Sequence, residues 1–429
     1  MSDSRRPRGP EDTCDHGGAV AEATAAMTVE LFLPCAHGVE ALLADECARL
    51  LGTPGPVRAL RGGVAVRGDA RVAMLLNLET RLAQRVLWPL AHGPYRDELD
   101  LYELARRVPW VEWITPQQTL RVETTAHRSP LKSLNFATLR IKDAVCDALR
   151  DVTGERPSVD THHPDLPLAL HLTATQATLY VDTSGEALFK RGWRDAAGLK
   201  GEAPLKETLA AAMLAAAGWQ GRAEDGPIFD PCCGAGTIAI EAAQIAGGIA
   251  PGLNRRFAFE RLAPWRAHLG EWKSMLAAAR ARIHASAVPI YAGDVSFRMT
   301  DFAVRNAERA GVKGAIEFKT ADALQRMPPA PRGTLILNPP YGERIDAKGA
   351  GQGGREGFET GAGSSADFYA GLAAHWKRHY AGWTAWVLSP EPKLPSMMRL
   401  KESRRVPLWN GPIECRLMRF DMVAGSARG

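Results

Sequence analysis

Apolar positions along the chain fall into short runs and amphipathic stretches, and their arrangement changes near residue 185. "VELFLP" (29 to 34) reads as a strand and "HGVEALLADECARLL" as an amphipathic helix ending near Gly52. "GGVAVRG" is a second strand, "ARVAMLLNLET" a second helix and "RVLWPLAHG" a further strand. This order suits the β-α-β-β-α-β, ferredoxin-like plan and is expected to occupy residues 28–94. A second compact α+β unit is expected over 95–185. In it "LDLYELARRV" and "NFATLRIKDAVCDALRDVTG" are helical, "TLRVETTAHR" is a strand and "LALHLTATQATLYVDTSG" is a strand hairpin.

After Gly185 the runs "PIFD", "PIYAGD", "IEFKTAD", "GTLILN" and "WTAWVL" alternate with helical stretches such as "TIAIEAAQIA" and "DFAVRNAERAG". Apolar strands separated by helices predict a doubly wound parallel sheet, a Rossmann-like α/β domain over 186–424. Its last segment, "RRVPLWNGPIECRLMRFDM", sets Asn410-Gly411 between two strand-like runs and predicts an antiparallel hairpin closed by a type I′ turn. Residues 1–27 lack periodicity and read as a disordered, solvated tail. "KGAGQGGREGFETGAGSSAD" makes 346–366 a flexible Gly-rich insert.

With 429 residues, two or three domains are expected. A hydrophobic share of 45% with 24% charged residues belongs to a soluble globular chain. The net charge of +5 permits a nucleic-acid partner without demanding one. Seven cysteines, odd in number and without a CxxC pair, point to a reducing compartment. No run of eighteen apolar residues occurs, so a cytoplasmic protein without membrane contact is expected. No His/Cys/carboxylate cluster has metal-ligand spacing, so no metal is expected.

Candidate chemistry lies where the predicted strands end. "FDPCCGAGT" gives Asp230 and then Gly234-x-Gly236 at the start of a helix, a turn that lets backbone approach a ligand. Dinucleotide-binding proteins use a nearly identical turn, but they place a ribose-binding acid about 20 residues further on. Here the next strand-ending acid is Asp294, and Asp230 precedes the glycines, where it suits an ammonium group. S-adenosylmethionine carries such a group and no phosphate. Asp230, Asp294 and Asp322 would then serve its methionine, ribose and adenine parts, each Asp alone being equally readable as a helix cap.

"LILNPPYGER" ends the fourth strand of this domain. Its prolines stop the strand on either of two readings. As a plain stop they leave Asn338 and Tyr341 without a role. As a tool, the Asn338 side-chain oxygen and Pro339 carbonyl accept from one NH₂ group, Pro340 stiffens the turn, and Tyr341 offers a stacking face. Upstream, Arg128, Lys132, Arg140 and Lys142 gather around one helix, as a solvated face or as phosphate contacts.

The tetrapeptide resembles that of the amino-directed class I methyltransferases. Together with "YVDTSGEALFKRGWR", "APLKETLAAAML", "DPCCGAGTIAIEAA" and "APGLNRRFAFE", it is similar to the THUMP-containing guanine-N2 methyltransferases of bacterial 23S ribosomal RNA, the RlmL type. "LYELARRVPW", "IKDAVCDALR" and "RPSVDTHHPDLPLALHL" resemble that family's THUMP region, so the likeness spans roughly residues 28–424. It implies a ferredoxin-like unit, a THUMP domain and a class I methyltransferase domain. It also implies S-adenosylmethionine bound by Thr208, Asp230, Cys232, Gly234, Gly236, Thr237, Asp294 and Asp322, with the target amine at Asn338, Pro339, Pro340 and Tyr341. RNA would be contacted through Arg128, Lys132, Arg140 and Lys142, in naked 23S RNA or a pre-50S particle, and a base in a helix must be flipped out to react. A tRNA target keeps the same chemistry, and a ribosome-assembly factor would keep the fold without turnover. Two departures stand out. Many members are fusions with a second, N7-directed domain, which is not expected in a chain ending at Gly429, and Ser296 stands where relatives often carry a second acid.

Overall fold

A computed structural model describes residues 27–52, 57–194, 205–339 and 365–423. The expected tail, Pro340, Tyr341 and nearly all of the Gly-rich insert lie outside the described residues. The chain divides into two compact units. One holds residues 30–88, 183–257 and everything from 271 onward; the other holds 89–182 with 258–270.

The larger unit begins with β1 (Val29–Pro34), α1 (Glu40–Leu51), β2 (Val57–Leu60), β3 (Gly63–Gly68), α2 (Ala70–Glu79) and the first residues of β4 (Leu87–Pro94), hydrogen-bonded in the order β2-β3-β1-β4. Helix α1 ends where Gly52 turns left-handed, at φ 67°. Asp69 starts α2 by accepting from the Val72 N–H. The buried carboxylate of Glu46 accepts from the Thr80 hydroxyl and from the Arg81 and Leu82 N–H groups, so α1 caps the exit from α2.

The same unit contains α5 (Glu207–Ala217), β9 (Ile228–Asp230), α6 (Thr237–Ala246), α7 (Leu269–Ala281), β10 (Ile290–Asp294), α8 (Phe297–Arg309), β11 (Ile316–Thr320), β12 (Gly333–Leu337), α9 (Ser365–His379), β13 (Trp383–Ser389), α10 (Leu394–Met398), β14 (Arg404–Asn410) and β15 (Ile413–Asp421). Its sheet runs β11-β10-β9-β12-β13-β15-β14. Strands β9 to β13 are parallel and β15 runs antiparallel to both neighbours. The order reverses between β9 and β12, which is where open α/β sheets form a binding crevice. Behind β12, Leu335 and Leu337 pack with Tyr369, Leu372 and Trp376 of α9 and with Leu394 and Met398 of α10.

The terminal hairpin is present, but its turn is not the one expected. Asn410 pairs with Ile413, so the two turn residues are Gly411 and Pro412 rather than Asn410 and Gly411. Gly411 has φ 63°, and proline is locked near −65°, which fits a type II′ turn and excludes type I′.

The other unit contains the rest of β4, α3 (Glu98–Arg106), β5 (Thr119–Ala126), α4 (Leu134–Thr153), β6 (Ser158–Val159), β7 (Leu166–Leu172) and β8 (Gln176–Asp182), with strands ordered β4-β8-β7-β5-β6. β7 and β8 form the expected hairpin, while β5 lies parallel to β6 and β7. Residues 258–270 complete this unit. Trp265 is fully buried, its ring 6.1 Å from Trp113 and 6.3 Å from Phe259, and Arg261 pairs with Asp165 at 3.4 Å.

A buried ion cluster ties the N-terminal elements of the larger unit to its second sheet. Glu241 of α6, with no side-chain exposure, accepts from Arg191 at 3.0 Å and Arg81 at 3.2 Å. Arg191 also donates to the Leu188 and Arg81 carbonyls, and Arg81 to that of Ile249. Removing one member of such a cluster leaves an uncompensated buried charge. Glu241→Ala is therefore expected to destabilise the fold by about 3–5 kcal/mol. Arg71→Ala, which breaks the exposed Arg71–Glu271 pair, should cost at most about 1 kcal/mol. Urea midpoints of the two variants, read by intrinsic fluorescence, check the contrast.

Candidate active site

Four strands and their exit turns build the site. β9 ends on Asp230, and Leu335 of β12 is level with Phe229, so Asn338 emerges two residues beyond the level of Asp230, roughly 7 Å further along the strand direction. β10 ends on Asp294, and Asp322 lies two residues past the end of β11. All four residues therefore sit at the carboxyl edge of the sheet, around the reversal point.

The turn after β9 is held by backbone bonds. Cys233 N–H donates to the Gly293 carbonyl at 2.8 Å and Gly236 N–H to the Cys233 carbonyl at 2.7 Å. Gly236 has φ 81°, and a Cβ there would sit 3.0 Å from the Ala303 Cβ of α8, so both its conformation and its surroundings require glycine. Asn306 of α8 donates to the Ala235 carbonyl at 2.9 Å. The turn is thus pinned against α8, with Thr237 opening α6 immediately behind it.

Asp294 performs two backbone tasks. Its Oδ2 accepts from Gly234 N–H at 3.0 Å and its Oδ1 from Ser296 N–H at 2.9 Å. One carboxylate thereby ties the turn after β9 to the turn after β10, while each oxygen keeps a further lone pair for a ligand hydroxyl. Ser296 is the cap of α8, accepting from Met299 N–H. Asp322 accepts from Leu324 N–H at 2.9 Å and borders a cavity of about 540 Å³ lined by Tyr291, Lys319, Gln325 and Met327.

Asp230 is only 2% exposed and accepts one backbone bond, from Cys232 N–H at 3.2 Å. Burial, reinforced by the neighbouring Asp294 charge, pushes its carboxyl well above the usual range. A cationic amine at this point would relieve that penalty. The buried Cys233 thiol is raised well above its usual value by the same burial and by both carboxylates, so it stays protonated. A buried acid with no cationic partner among the described residues, a glycine turn, a carboxylate with spare lone pairs and a cavity beside Asp322 together fit a ligand with an ammonium group, hydroxyls and a flat ring.

Asn338 is half-buried at the end of β12, and its side-chain oxygen is buried without a hydrogen-bond partner among the described residues. A buried amide oxygen is expected to be satisfied, and leaving it open costs about 1–3 kcal/mol. The open acceptor therefore marks where a donor belongs. Pro339 is buried beside it.

Thr208 is buried in α5, and the Thr237 hydroxyl accepts from Arg194 at 2.8 Å. Arg194 also donates to Glu207 at 2.5 Å and to the Leu205 carbonyl at 2.7 Å. It thus joins the start of α5 to the start of α6, directly behind the glycine turn. Sequence reasoning singled out no role for Arg194 or Glu207. The only available signal was that "KRGWR" and "LKET" both occur in the quoted family segments.

In the unit that holds 89–182, Arg128, Lys132 and Arg140 are exposed and have no carboxylate partner among the described residues, while Lys142 pairs with Asp143 at 2.7 Å. Arg128 has φ 58°, a left-handed backbone uncommon for arginine. No described helix is long and apolar enough to cross a membrane.

Comparison with known proteins agrees with this layout. Residues 191–419 match the RMKL-like methyltransferase domain, 95–182 the THUMP domain and 30–87 the RlmL ferredoxin-like domain. The chain is 38% identical to the ribosomal RNA large subunit methyltransferase K/L of Syntrophotalea carbinolica, over 92% of this chain and 54% of that protein. It thus spans about half the length of that relative. A putative RNA methyltransferase of Synechocystis is 34% identical over 93% of this chain and 98% of its own length. The crystal structure of SMU.472, a putative methyltransferase complexed with S-adenosylhomocysteine, is 26% identical and superposes with a TM-score of 0.77, over 92% of this chain and 98% of that one. With more than half of its length matched to one domain family and a full-length relative at 34% identity, the chain belongs to the RMKL-like methyltransferase family.

Proposed function

We propose that this chain transfers the methyl group of S-adenosylmethionine, the cofactor of its family, to the exocyclic N2 amine of a guanine in 23S ribosomal RNA, either naked or within a pre-50S particle. The observation that carries the reading is the Asn338 oxygen, buried without a hydrogen-bond partner among the described residues, at the end of the strand beside β9. An exocyclic NH₂ is the donor that such an acceptor lacks. The THUMP match and the RNA-directed relatives favour an RNA base over a protein amide.

In this mechanism Asp230 pairs with the ammonium of the cofactor, Asp294 accepts from the ribose hydroxyls, and the cavity beside Asp322 takes the adenine. The glycine turn, with Thr208, Cys232 and Thr237 around it, forms the wall at the methionine end. S-adenosylmethionine would supply the electrophilic methyl group and leave as S-adenosylhomocysteine, while the methylated amine would release one proton to water. Asn338 and the Pro339 carbonyl hold the target amine by its two N–H bonds, orient its nitrogen for in-line attack and stabilise the positive charge that develops on it. Pro340 and Tyr341 complete the clamp and give the base a stacking face. The amine lone pair is conjugated with its ring, so orientation supplies much of the rate, up to about 7–11 kcal/mol of the barrier. Arg128, Lys132, Arg140 and Lys142 contact phosphates, and the RNA base reaches the site by flipping.

Asn338→Ala should reduce methyl transfer by about 10²–10³-fold or more while RNA affinity stays within about twofold. A filter assay with labelled cofactor alongside RNA binding reads both. The raised Asp230 carboxyl sets a pH dependence with a definite sign. Below its raised pKa it is neutral and loses its attraction for an ammonium, so affinity for S-adenosylhomocysteine should fall as pH drops through that value. In the unliganded protein the ionised form is the destabilised one, because the folded state holds this proton more tightly than the unfolded chain. Asp230→Asn should therefore raise unliganded stability above that pKa while giving weak, pH-independent binding. Calorimetry across pH checks both effects. For the target itself, N2-methylguanine mapped in 23S RNA from cells with and without the gene should differ at one position. A difference confined to tRNA would transfer the activity to that substrate, and no difference in either RNA would sink the proposal.

A further inference from the structure

Helix α4 presents Ala137, Ile141, Ala144, Val145 and Leu149 to the core of its unit, all buried and spaced as one stripe of an α-helix. Phe136 falls outside that stripe. It is 60% exposed, and Leu134 and Leu139 near it are exposed as well. We propose that Phe136 is a stacking platform for an unpaired base of the substrate RNA, framed by Arg128, Lys132 and Arg140 as contacts for the adjoining phosphates; the RNA class rests on the function proposed above.

The packing of this unit gives the ring no task. Phe136 meets no other aromatic ring and no cation among the described residues. Phenylalanine is also a weaker helix former than the lysine or glutamate that usually covers a solvated helix face. Single apolar side chains are normal on a surface, but here three stand on the first two turns of one helix. Phe136, Leu139 and Arg140 are spaced i, i+3 and i+4, so an aromatic face, an apolar flank and a guanidinium share one side of α4.

That side has a firm footing. The Ser133 hydroxyl caps α4 by accepting from the Phe136 N–H, and the Thr138 hydroxyl bonds the Thr124 hydroxyl of β5 at 2.7 Å. The preceding loop, which carries Arg128 and Lys132, is held as well. His127 N–H donates to the Leu172 carbonyl at 2.8 Å, and the Ser129 hydroxyl accepts from Leu131 N–H at 3.2 Å and from the Tyr95 hydroxyl at 2.7 Å. A ring on a fixed backbone loses little freedom when a flat group settles on it.

Charge decides what kind of group that is. Residues 124–142 contain Arg128, Lys132, Arg140 and Lys142 and no acid. The bordering acids are engaged, Glu123 with Arg121 at 2.8 Å and Asp143 with Lys142 at 2.7 Å. Arg128, Lys132 and Arg140 are left exposed without a carboxylate partner among the described residues. An apolar protein surface needs no such frame, whereas an unpaired nucleotide supplies both halves of the match, a flat base for the ring and phosphates for the cations.

The test uses the full-length protein and an unmodified 23S RNA transcript. Phe136→Ala should melt at the wild-type temperature or higher, because alanine is the better helix former, and should bind S-adenosylhomocysteine as the wild type does. Its affinity for the transcript should fall about tenfold, the loss of one base stack, with no change in the slope of log K against log salt. Arg140→Ala should instead shrink that slope by about 0.7, one phosphate of a single strand. Phe136→Tyr should restore affinity, and Phe136→Leu, which keeps apolar bulk without a ring face, should not. Short single strands with 2-aminopurine at each position in turn should include one whose fluorescence is quenched by the wild type and the tyrosine variant but not by Phe136→Leu. A leucine variant with wild-type RNA affinity and undiminished quenching would overturn the proposal and leave the patch to a protein partner. If Phe136→Leu loses affinity while the wild type places no N2-methylguanine in the transcript, the stack stands and the guanine assignment falls. If the wild type methylates and Phe136→Leu binds equally well, the stack alone falls. A wild type that binds neither the transcript nor pre-50S particles sinks both.

Discussion

The bond from Gly234 N–H to the Asp294 carboxylate is the constraint on which the site depends. A loop after one strand and a loop after its neighbour have no reason to keep a fixed spacing, because backbone ladders stop at the strand ends. A carboxylate that accepts from both loops supplies one, and because both of its bonds are to backbone, the spacing is insensitive to side-chain exchange around it. Asp230 can then be buried with no cationic partner among the described residues, since the turn that covers it is tethered from the adjacent strand. The arrangement leaves a buried carboxyl whose ionised form is penalised by burial and by the neighbouring Asp294 charge.

Rigidity reaches the glycine turn from behind as well. Arg194 links α5 to α6 at their first residues, and Glu241, one turn further along α6, is locked between Arg191 and Arg81. Two guanidiniums on one buried carboxylate are a poor choice for stability alone, since apolar packing of similar volume does as well or better. What the cluster adds is direction. Arg81 follows the second helix of the ferredoxin-like elements, Arg191 follows their junction with residues 183–190, and both reach the helix that begins at the glycine turn.

Much of this was legible in the sequence. The runs that end in Asp230, Asp294 and Leu337 form β9, β10 and β12, because short apolar strands between helices carry a strong periodic signal and sheet topology places such ends along one edge. The hairpin was legible in kind but not in register: Asn-Gly carried the turn signal, yet the proline at 412 moved the turn one residue along. What the pattern could not show were contacts between distant residues. Arg191 and Glu241 stand 50 positions apart and Arg81 and Glu241 160, and Arg194 reads as an ordinary surface cation until its three partners are known. The tether made by Asp294 was hidden for a similar reason, since a ligand-binding acid and a loop tether look identical in one dimension.

Trp265 raises a question of timing. It fills the unit built from residues 89–182, yet it is synthesised only after the intervening residues 183–257. At about 5–20 residues per second, the nascent unit waits roughly 4–15 s with the Trp113 side of its core uncovered. A THUMP unit of this kind is not a cassette completed on its own; the chain must already be committed to the next domain before the first is sealed.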